Sequence, residues 1–416
     1  METLNHKEVI NLLLQLAAML IMARVFSELA RKLKQPAVVG EILAGIILGP
    51  TIFGSLFPDF FQNLFATHDM TNIALDGFVQ IAVVLLLFIA GIEVELQVVW
   101  SQGKNALQIA LASMALPIIA GFVVAYAFPE FLGVNIHDRI VASTFFGLAI
   151  SITALAVIAR ILMDLNLFKT KSGLLIIAGA MIVDVVGWIV FSVILSLSES
   201  GKGGLGVWPT IGLTLFFTIF MLTLGKGLIN RVLPWTNKNL AWPGGLLSLS
   251  LAICFLAASF TEFIGIHAIF GAFIIGVALG DSEHLTEKAK EILHQFINNI
   301  FAPIFFVSIG LKVNFIEGFD LGVVGVVVIV GFLTKYFGAY LGGRLSGLKR
   351  NTSMMIGFGL SARGSMDIIL GLIALENGLV SESLFIGLVI LALLSSIVSG
   401  PLMGWSEKLQ FSGKSQ

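Results

Sequence analysis

Charge is the scarcest property of this chain. Only 12% of its 416 residues are Asp, Glu, Lys or Arg, about half the share usual in soluble domains, and the mean hydropathy is +1.00. So little charge cannot cover a water-facing surface, which excludes a soluble enzyme, a nucleic-acid binder and a disordered protein. Cysteine is almost missing as well. The one thiol, Cys254, lies inside an apolar run, so neither a disulfide scaffold nor a cysteine-rich metal centre is available. Proline numbers 10, with no Pro/Ser linker. The longest hydrophilic insert, 58–76, and the tail after Trp405 are too short to fold as soluble domains. A net charge of −1 points to no partner of either sign. The first seven residues are polar, and the apolar run behind them ends in Ser27-Glu28 without a small-residue cleavage pattern. That reads as a retained membrane span rather than a signal peptide.

What is abundant is apolar length. A helix crossing the hydrocarbon core needs about 20 mostly apolar residues. Such runs cover 9–29, 37–50, 78–92, 106–128, 140–162, 174–197 and 207–229, then 245–261, 264–280, 296–310, 321–345, 354–375 and 384–405. This predicts an all-α polytopic membrane protein of about 13 spans. Arg31, Lys32 and Lys34 follow the first run, Lys104 the third and Lys169 and Lys171 the fifth. Lys226, Arg231 and Lys238 follow the seventh, Lys288 and Lys290 the ninth, Arg344, Lys349 and Arg350 the eleventh, and Lys408 and Lys414 the last. After the even-numbered runs there is almost nothing but Arg139 and Lys202. Positive loops stay in the cytoplasm, so the N-terminus is expected outside and the C-terminus inside.

The chain also resembles itself. Run two reads Ile42-Leu-Ala-Gly-Ile-Ile-Leu-Gly-Pro50 and run nine Phe273-Ile-Ile-Gly-Val-Ala-Leu-Gly-Asp281, aligning Gly45 with Gly276 and Gly49 with Gly280. The end of run three matches the end of run ten, Gly91 with Gly310 and Glu93 with Lys312. Run five matches run twelve, Ser151 with Ser361. Each pair lies seven helices apart, an odd number, so the second copy enters the membrane from the other side. Any one match is expected by chance among Gly/Leu-rich helices; three in order and at equal spacing are not. Inverted six-helix repeats are the architecture of secondary transporters, whose sites lie at the midplane where discontinuous helices meet. The repeats are 9–197 and 245–405, joined by a linker helix at 207–229, in one transmembrane domain. Runs five and twelve both carry a polar interruption, Ser151-Ile-Thr153 and Ser361-Ala-Arg-Gly-Ser365. Irregular backbone at that depth is tolerated only around a cavity or within protein.

Ionisable side chains inside spans are functional candidates by default. Asp184 is the only charge in the middle of run six. A bare carboxylate is costly there, and either a proton or a small cation relieves it. Competition of the two for one group is the simplest basis of exchange. The alternative is a structural Asp bonded to a neighbouring helix. Lys335, mid-way along run eleven, is too deep to reach water easily. Asp184 is its natural partner, either as a switch that opens when a cation arrives or as a purely structural pair. Arg363 and Asp367, four apart on one helix face, either neutralise each other or take part in ion handling. Glu41 and Glu93 come from runs two and three, while Glu95 and Lys312 lie near span ends, where they snorkel or cap. Glu262 and His267 flank the junction of runs eight and nine. His267 is either a pH-responsive group or a bonded structural histidine. No Walker loop, metal-ligand cluster or nucleophile–base spacing occurs, so no enzyme, ATP drive or cofactor is expected.

These motifs resemble the monovalent cation:proton antiporter superfamily, in particular its second family. The matching stretches are Gln35-Pro-Ala-Val-Val-Gly-Glu-Ile-Leu-Ala-Gly-Ile-Ile-Leu-Gly-Pro50, Phe88 to Leu96, Ser151 to Leu162, Gly265 to Phe273, Pro303 to Leu311 and the Ser361-Ala-Arg-Gly364 segment. They cover nearly the whole chain in order. The resemblance implies a bacterial inner-membrane protein that exchanges Na⁺ or K⁺ for H⁺. It also implies a homodimer with a dimerisation part and a mobile core, in which two broken helices cross at the ion site. In that frame Asp184 binds cation and proton, Thr153 sits at the unwound part of run five, and Lys335 pairs with the carboxylate. Ser151, Thr153 and backbone atoms are the expected ligands of the transported ion. Arg363, Asp367, Glu262 and His267 are supporting candidates. Members with an electrogenic cycle carry two adjacent aspartates where this chain has Val183-Asp184, which removes one charge unless Lys335 carries the second proton. No nucleotide-binding domain follows in the chain, so such gating is not expected in cis. The alternatives are a channel-like K⁺ efflux pathway with a separate cytosolic regulatory subunit, and a receptor that kept the fold and lost transport.

Overall fold

The computed structural model describes residues 5–33, 35–66, 69–199 and 207–412. Lys34, Lys202 and Lys414, counted above among the loop charges, lie outside them. The main helices of the first half are α1 His6–Lys32, α2 Ala37–Leu48, α3 Asp69–Ile92, α4 Leu96–Ala127, α5 Arg139–Ala149, α6 Leu155–Asp164 and α7 Lys171–Glu199. Then come α8 Val207–Phe220, α9 Lys226–Asn239, α10 Gly244–Phe263, α11 Ala268–Gly280, α12 Glu287–Phe296 and α13 Ala302–Lys312. The last four are α14 Leu321–Leu345, α15 Arg350–Leu360, α16 Ser365–Glu376 and α17 Glu382–Ser412. Ten helices among the described residues are long and apolar enough to cross a bilayer, and the bent pair α15–α16 makes an eleventh. The shorter apolar helices α5 and α11 lie in the runs 140–162 and 264–280. Run 296–310 is part of a longer helical stretch, Glu287–Lys312, whose polar first turns hid its length in the sequence.

Helix starts follow local chemistry. Asn5 caps α1 by accepting from the Glu8 amide at 3.0 Å while the Glu8 carboxylate accepts from the Asn5 amide at 2.7 Å, a reciprocal box. Asp320 caps α14, accepting from Gly322 and Val323 at 2.7 and 3.0 Å.

The chain forms two compact units, each assembled from both halves of the sequence. One comprises Met1–Val94 and Leu215–Gly318, the other Glu95–Thr214 and Phe319–Gln416. In the first unit α2 packs on α13 and α3 on α11. These are the crosswise pairs that the internal repeat relates to each other, and the aligned glycines make both. A Cβ on Gly49 would overlap the Gly310 carbonyl, and one on Gly276 would overlap the Phe88 carbonyl beside Gly91. Backbone meets backbone at these crossings, as small-residue seams permit in membranes. Gly310→Val is therefore expected to cost about 3 kcal/mol or more, the upper end of overpacking. Gly77, with open space around it, should accept Val within about 0.5 kcal/mol. Thermal unfolding in detergent compares the two.

In the second unit α4 and α14 lie against each other. α5 packs on α4 as α15 packs on α14, and α7 packs on α4 as α17 packs on α14. The same exchange of repeats maps one set of contacts onto the other, and it brings the two interrupted helices together.

Candidate ion-binding site

Both polar interruptions are breaks in helices. α5 stops at Ala149 and α6 begins at Leu155; α15 stops at Leu360 and α16 begins at Ser365, with a bend of 48°. The aligned serines close the helix ends in the same way. The Ser151 hydroxyl donates back to the Leu148 carbonyl and the Ser361 hydroxyl to the Gly357 carbonyl, each at 2.7 Å. Such local bonds compete with helix continuation. The breaks touch: the Ala154 amide donates to the Ala362 carbonyl at 3.1 Å. At Gly364 any Cβ would press on Ala154 and Val157, at 2.9 and 3.0 Å, so only glycine lets the strands of irregular backbone cross this closely.

α7 runs across this crossing. Gly187 faces Ile152 in the first break and Gly179 faces Leu360 at the second, with separations of 3.2 and 3.6 Å from an added Cβ. Asp184 lies between these two glycines on α7 and is buried, with 4% exposure. Lys335, on α14, is fully buried, and its ammonium donates to the Ser151 carbonyl. Arg363, Asp367 and Asp184 are within electrostatic reach of that ammonium. Thr153 is fully buried in the first break, and its hydroxyl has no hydrogen-bond partner. A buried polar atom without a partner is costly and is a natural position for a ligand.

Arg363 occupies the second break at the position aligned with Thr153. Its guanidinium donates to the carbonyls of Ala149 at 3.1 Å, Ile152 at 3.3 Å and Gly331 at 3.2 Å, and also to that of Ile150. It also pairs with Asp367 at 3.0 Å, both side chains being buried. Asp367 in turn accepts from the Gly364 amide at 3.0 Å, on the first turn of α16, where a helix favours negative charge. The pair is thus more than local neutralisation across one turn: the guanidinium fork ties the first break's carbonyls to the second break. By the same alignment Asp367 corresponds to Val157, so only the second break carries a built-in ion pair.

Six of the sequence-selected residues, Ser151, Thr153, Asp184, Lys335, Arg363 and Asp367, belong to this unit and line or tie the crossing. Glu262 and His267 belong to the other unit, where both serve the start of α11. The Glu262 carboxylate accepts from the Ala268 amide at 2.7 Å, and His267 Nδ1 accepts from Ile269 at 3.4 Å. Glu41 is buried beside Ser27, Glu93 pairs with His294 at 3.2 Å, and Lys312 pairs with Asp76 at 2.9 Å, all within that unit. Sequence reasoning expected backbone atoms here but not which ones, nor that Lys335 and Arg363 are their donors: the carbonyls of Ala149, Ile150, Ser151, Ile152 and Gly331. Carbonyls carry no residue signature; the only available signal was the polar interruption itself. Among the described residues no group of three or more His, Cys, Asp or Glu side chains forms a metal cluster.

The family described as sodium/hydrogen exchanger, transmembrane, matches residues 16–405. The chain belongs to the sodium/hydrogen exchanger family. Among the relatives of this exchanger-family chain is K(+)/H(+) antiporter 1 of Saccharomyces cerevisiae, 31% identical over 89% of the chain and 43% of the relative. The chain thus spans less than half the length of that protein. Na(+)/H(+) antiporter NhaS4 of Synechocystis is 30% identical over 94% of the chain and 97% of the relative. The sodium proton antiporter MjNhaP1 of Methanocaldococcus jannaschii has a similar fold, with a TM-score of 0.69 over 96% of this chain and 98% of its own at 17% identity.

Proposed function

We propose that this chain is a secondary antiporter that exchanges a monovalent cation, Na⁺ or K⁺, for H⁺ by alternating access. The observation that carries the reading is the crossing of two helix breaks that holds a buried, unpartnered Thr153 hydroxyl, with the buried Asp184 on the helix that packs on both breaks and within electrostatic reach of Lys335. Family membership and the sodium, potassium and proton in the relatives' names support it.

In this mechanism Asp184 holds either the cation or the proton. Thr153, the Ser151 oxygens and nearby carbonyls replace the water that the cation sheds. Lys335 is the counter-charge: in the cation's absence its ammonium holds the Ser151 carbonyl, and a cation arriving at Asp184 competes for the same oxygen and repels it. Arg363 and Asp367 keep the unwound backbone in register through the cycle. One carboxylate per site, with Val183 before it, gives one proton per cation unless Lys335 also titrates. The wider reading is of about 13 spans in a bacterial inner membrane, N-terminus outside, working as a homodimer. The loop-charge alternation supports the orientation.

The test is an ion panel in proteoliposomes. With an imposed pH gradient, Na⁺ or K⁺ should dissipate the gradient, with Li⁺ as a third arm, and clamping the membrane potential reports electrogenicity. A gradient that no monovalent cation dissipates overturns the proposal.

A further inference from the structure

At the far end of α6 from the breaks lies a cavity that the ion site does not use. It has a volume of about 440 Å³ and is lined by Asp164 and Leu165 at the end of α6 and by Gly400, Gly404, Trp405 and Lys408 on one face of α17. Its floor is bare for reasons visible in the sequence. Gly400 and Gly404 carry no side chain. Pro401 between them, also on the wall, has no amide proton to donate to the preceding turn. Its rim is polar: Asp164 and Lys408 are exposed and of opposite sign, and Trp405 beside them is half-exposed. Tryptophan of this kind marks the level of lipid headgroups.

The geometry points to a binding site for a phospholipid with a primary-amine zwitterionic headgroup, phosphatidylethanolamine. The ligand's charges match those of the rim. Lys408 meets the phosphate, Asp164 accepts N–H bonds from the terminal ammonium, and an acyl chain follows the glycine floor past Leu165 and Trp405. A trimethylated amine has no N–H to give Asp164, and a purely anionic headgroup meets Asp164 as a like charge. Those two differences define the selectivity. The site joins α17 to the far end of the same short helix whose first turn adjoins Thr153. The proposal concerns lipid retention, is read without transport, and stands or falls apart from the exchange reading.

The experiment uses the full chain purified in detergent and titrated with phosphatidylethanolamine, phosphatidylcholine or phosphatidylglycerol, with bound lipid counted by native mass spectrometry. The wild type should retain the ethanolamine lipid about fivefold more tightly than the choline lipid, the worth of one net hydrogen bond. Asp164→Asn should erase that preference while lipid still binds, and Lys408→Gln should weaken both lipids. A Cβ on Gly400 meets Ile161 at an ordinary 3.7 Å, so Gly400→Leu can fill the floor and should remove bound lipid while the size-exclusion profile stays that of the wild type. Equal retention of the two zwitterions overturns the proposal, as does a preference for phosphatidylglycerol, which marks a merely basic surface. Loss of a second copy of the chain, rather than of lipid, in Gly400→Leu assigns the groove to self-association and overturns it too.

Discussion

Asp184→Asn is expected to reduce cation-driven dissipation of a pH gradient in proteoliposomes to the level of empty vesicles. The amide keeps the shape of the carboxyl and removes both things the cycle needs, a negative charge for the cation and a proton acceptor. Truncating one partner of a buried charge pair costs binding about 2–5 kcal/mol, which corresponds to a fall of roughly one and a half to three and a half orders of magnitude in cation affinity. The variant should still fold, because the amide fills the same space as the carboxyl and α7 also packs through Gly179, Gly187 and its apolar face. Unchanged exchange by a correctly folded Asn variant would remove Asp184 from the site. Lys335→Gln sharpens the reading. If the lysine is only a counter-charge, exchange survives with altered cation affinity; if it carries a second proton, the dependence on membrane potential changes.

The second large effect is expected on stability. Arg363→Ala leaves Asp367 buried without its cation and strips donors from the carbonyls of Ala149, Ile150, Ile152 and Gly331. The broken pair alone is worth about 3–5 kcal/mol, and each buried carbonyl without another donor adds about 1–3 kcal/mol. The protein should fail to accumulate in membranes or unfold early in detergent. Arg363→Lys should recover part of the loss, since an ammonium has three donors and no planar fork. The informative variant is the double replacement Arg363→Met with Asp367→Leu. Were the ion pair the whole story, an apolar pair would restore stability. Because the carbonyls stay unmet, it should not. Thermal unfolding of the four proteins in one detergent separates the two cases.

These residues show what could be read from the linear sequence and what could not. Apolar runs located the helices because hydrocarbon demands length, and the interruptions at Ser151 and Ser361 marked where two of them break. The glycine repeat was legible because a backbone-to-backbone crossing excludes every side chain. It paired Gly45 with Gly276 and Gly91 with Gly310, the residues later found at the seams. Asp184 and Lys335 stood out by cost alone. The role of Arg363 was only half visible. Its spacing to Asp367 suggested the pair, while its four carbonyl acceptors come from two other helices and depend on how the breaks cross. Glu262 and His267 were selected by residue type, and both accept from amides at the start of α11; type alone cannot separate a cap from a ligand.

The glycine seams have a consequence in time. Thr51, at the end of α2, bonds to the Val313 carbonyl 262 residues later in the chain, close to the seam of Gly49 and Gly310. At about 5–20 residues per second, roughly 13–50 seconds of synthesis separate the two. Throughout that interval α2 has no α13 to rest on, and its exposed backbone faces lipid or whatever transient helix is at hand. Assembly of the first unit is therefore a late event governed by chain completion. Variants that weaken a seam should show it first as slow maturation and degradation of newly made protein, before any loss of stability in the finished molecule.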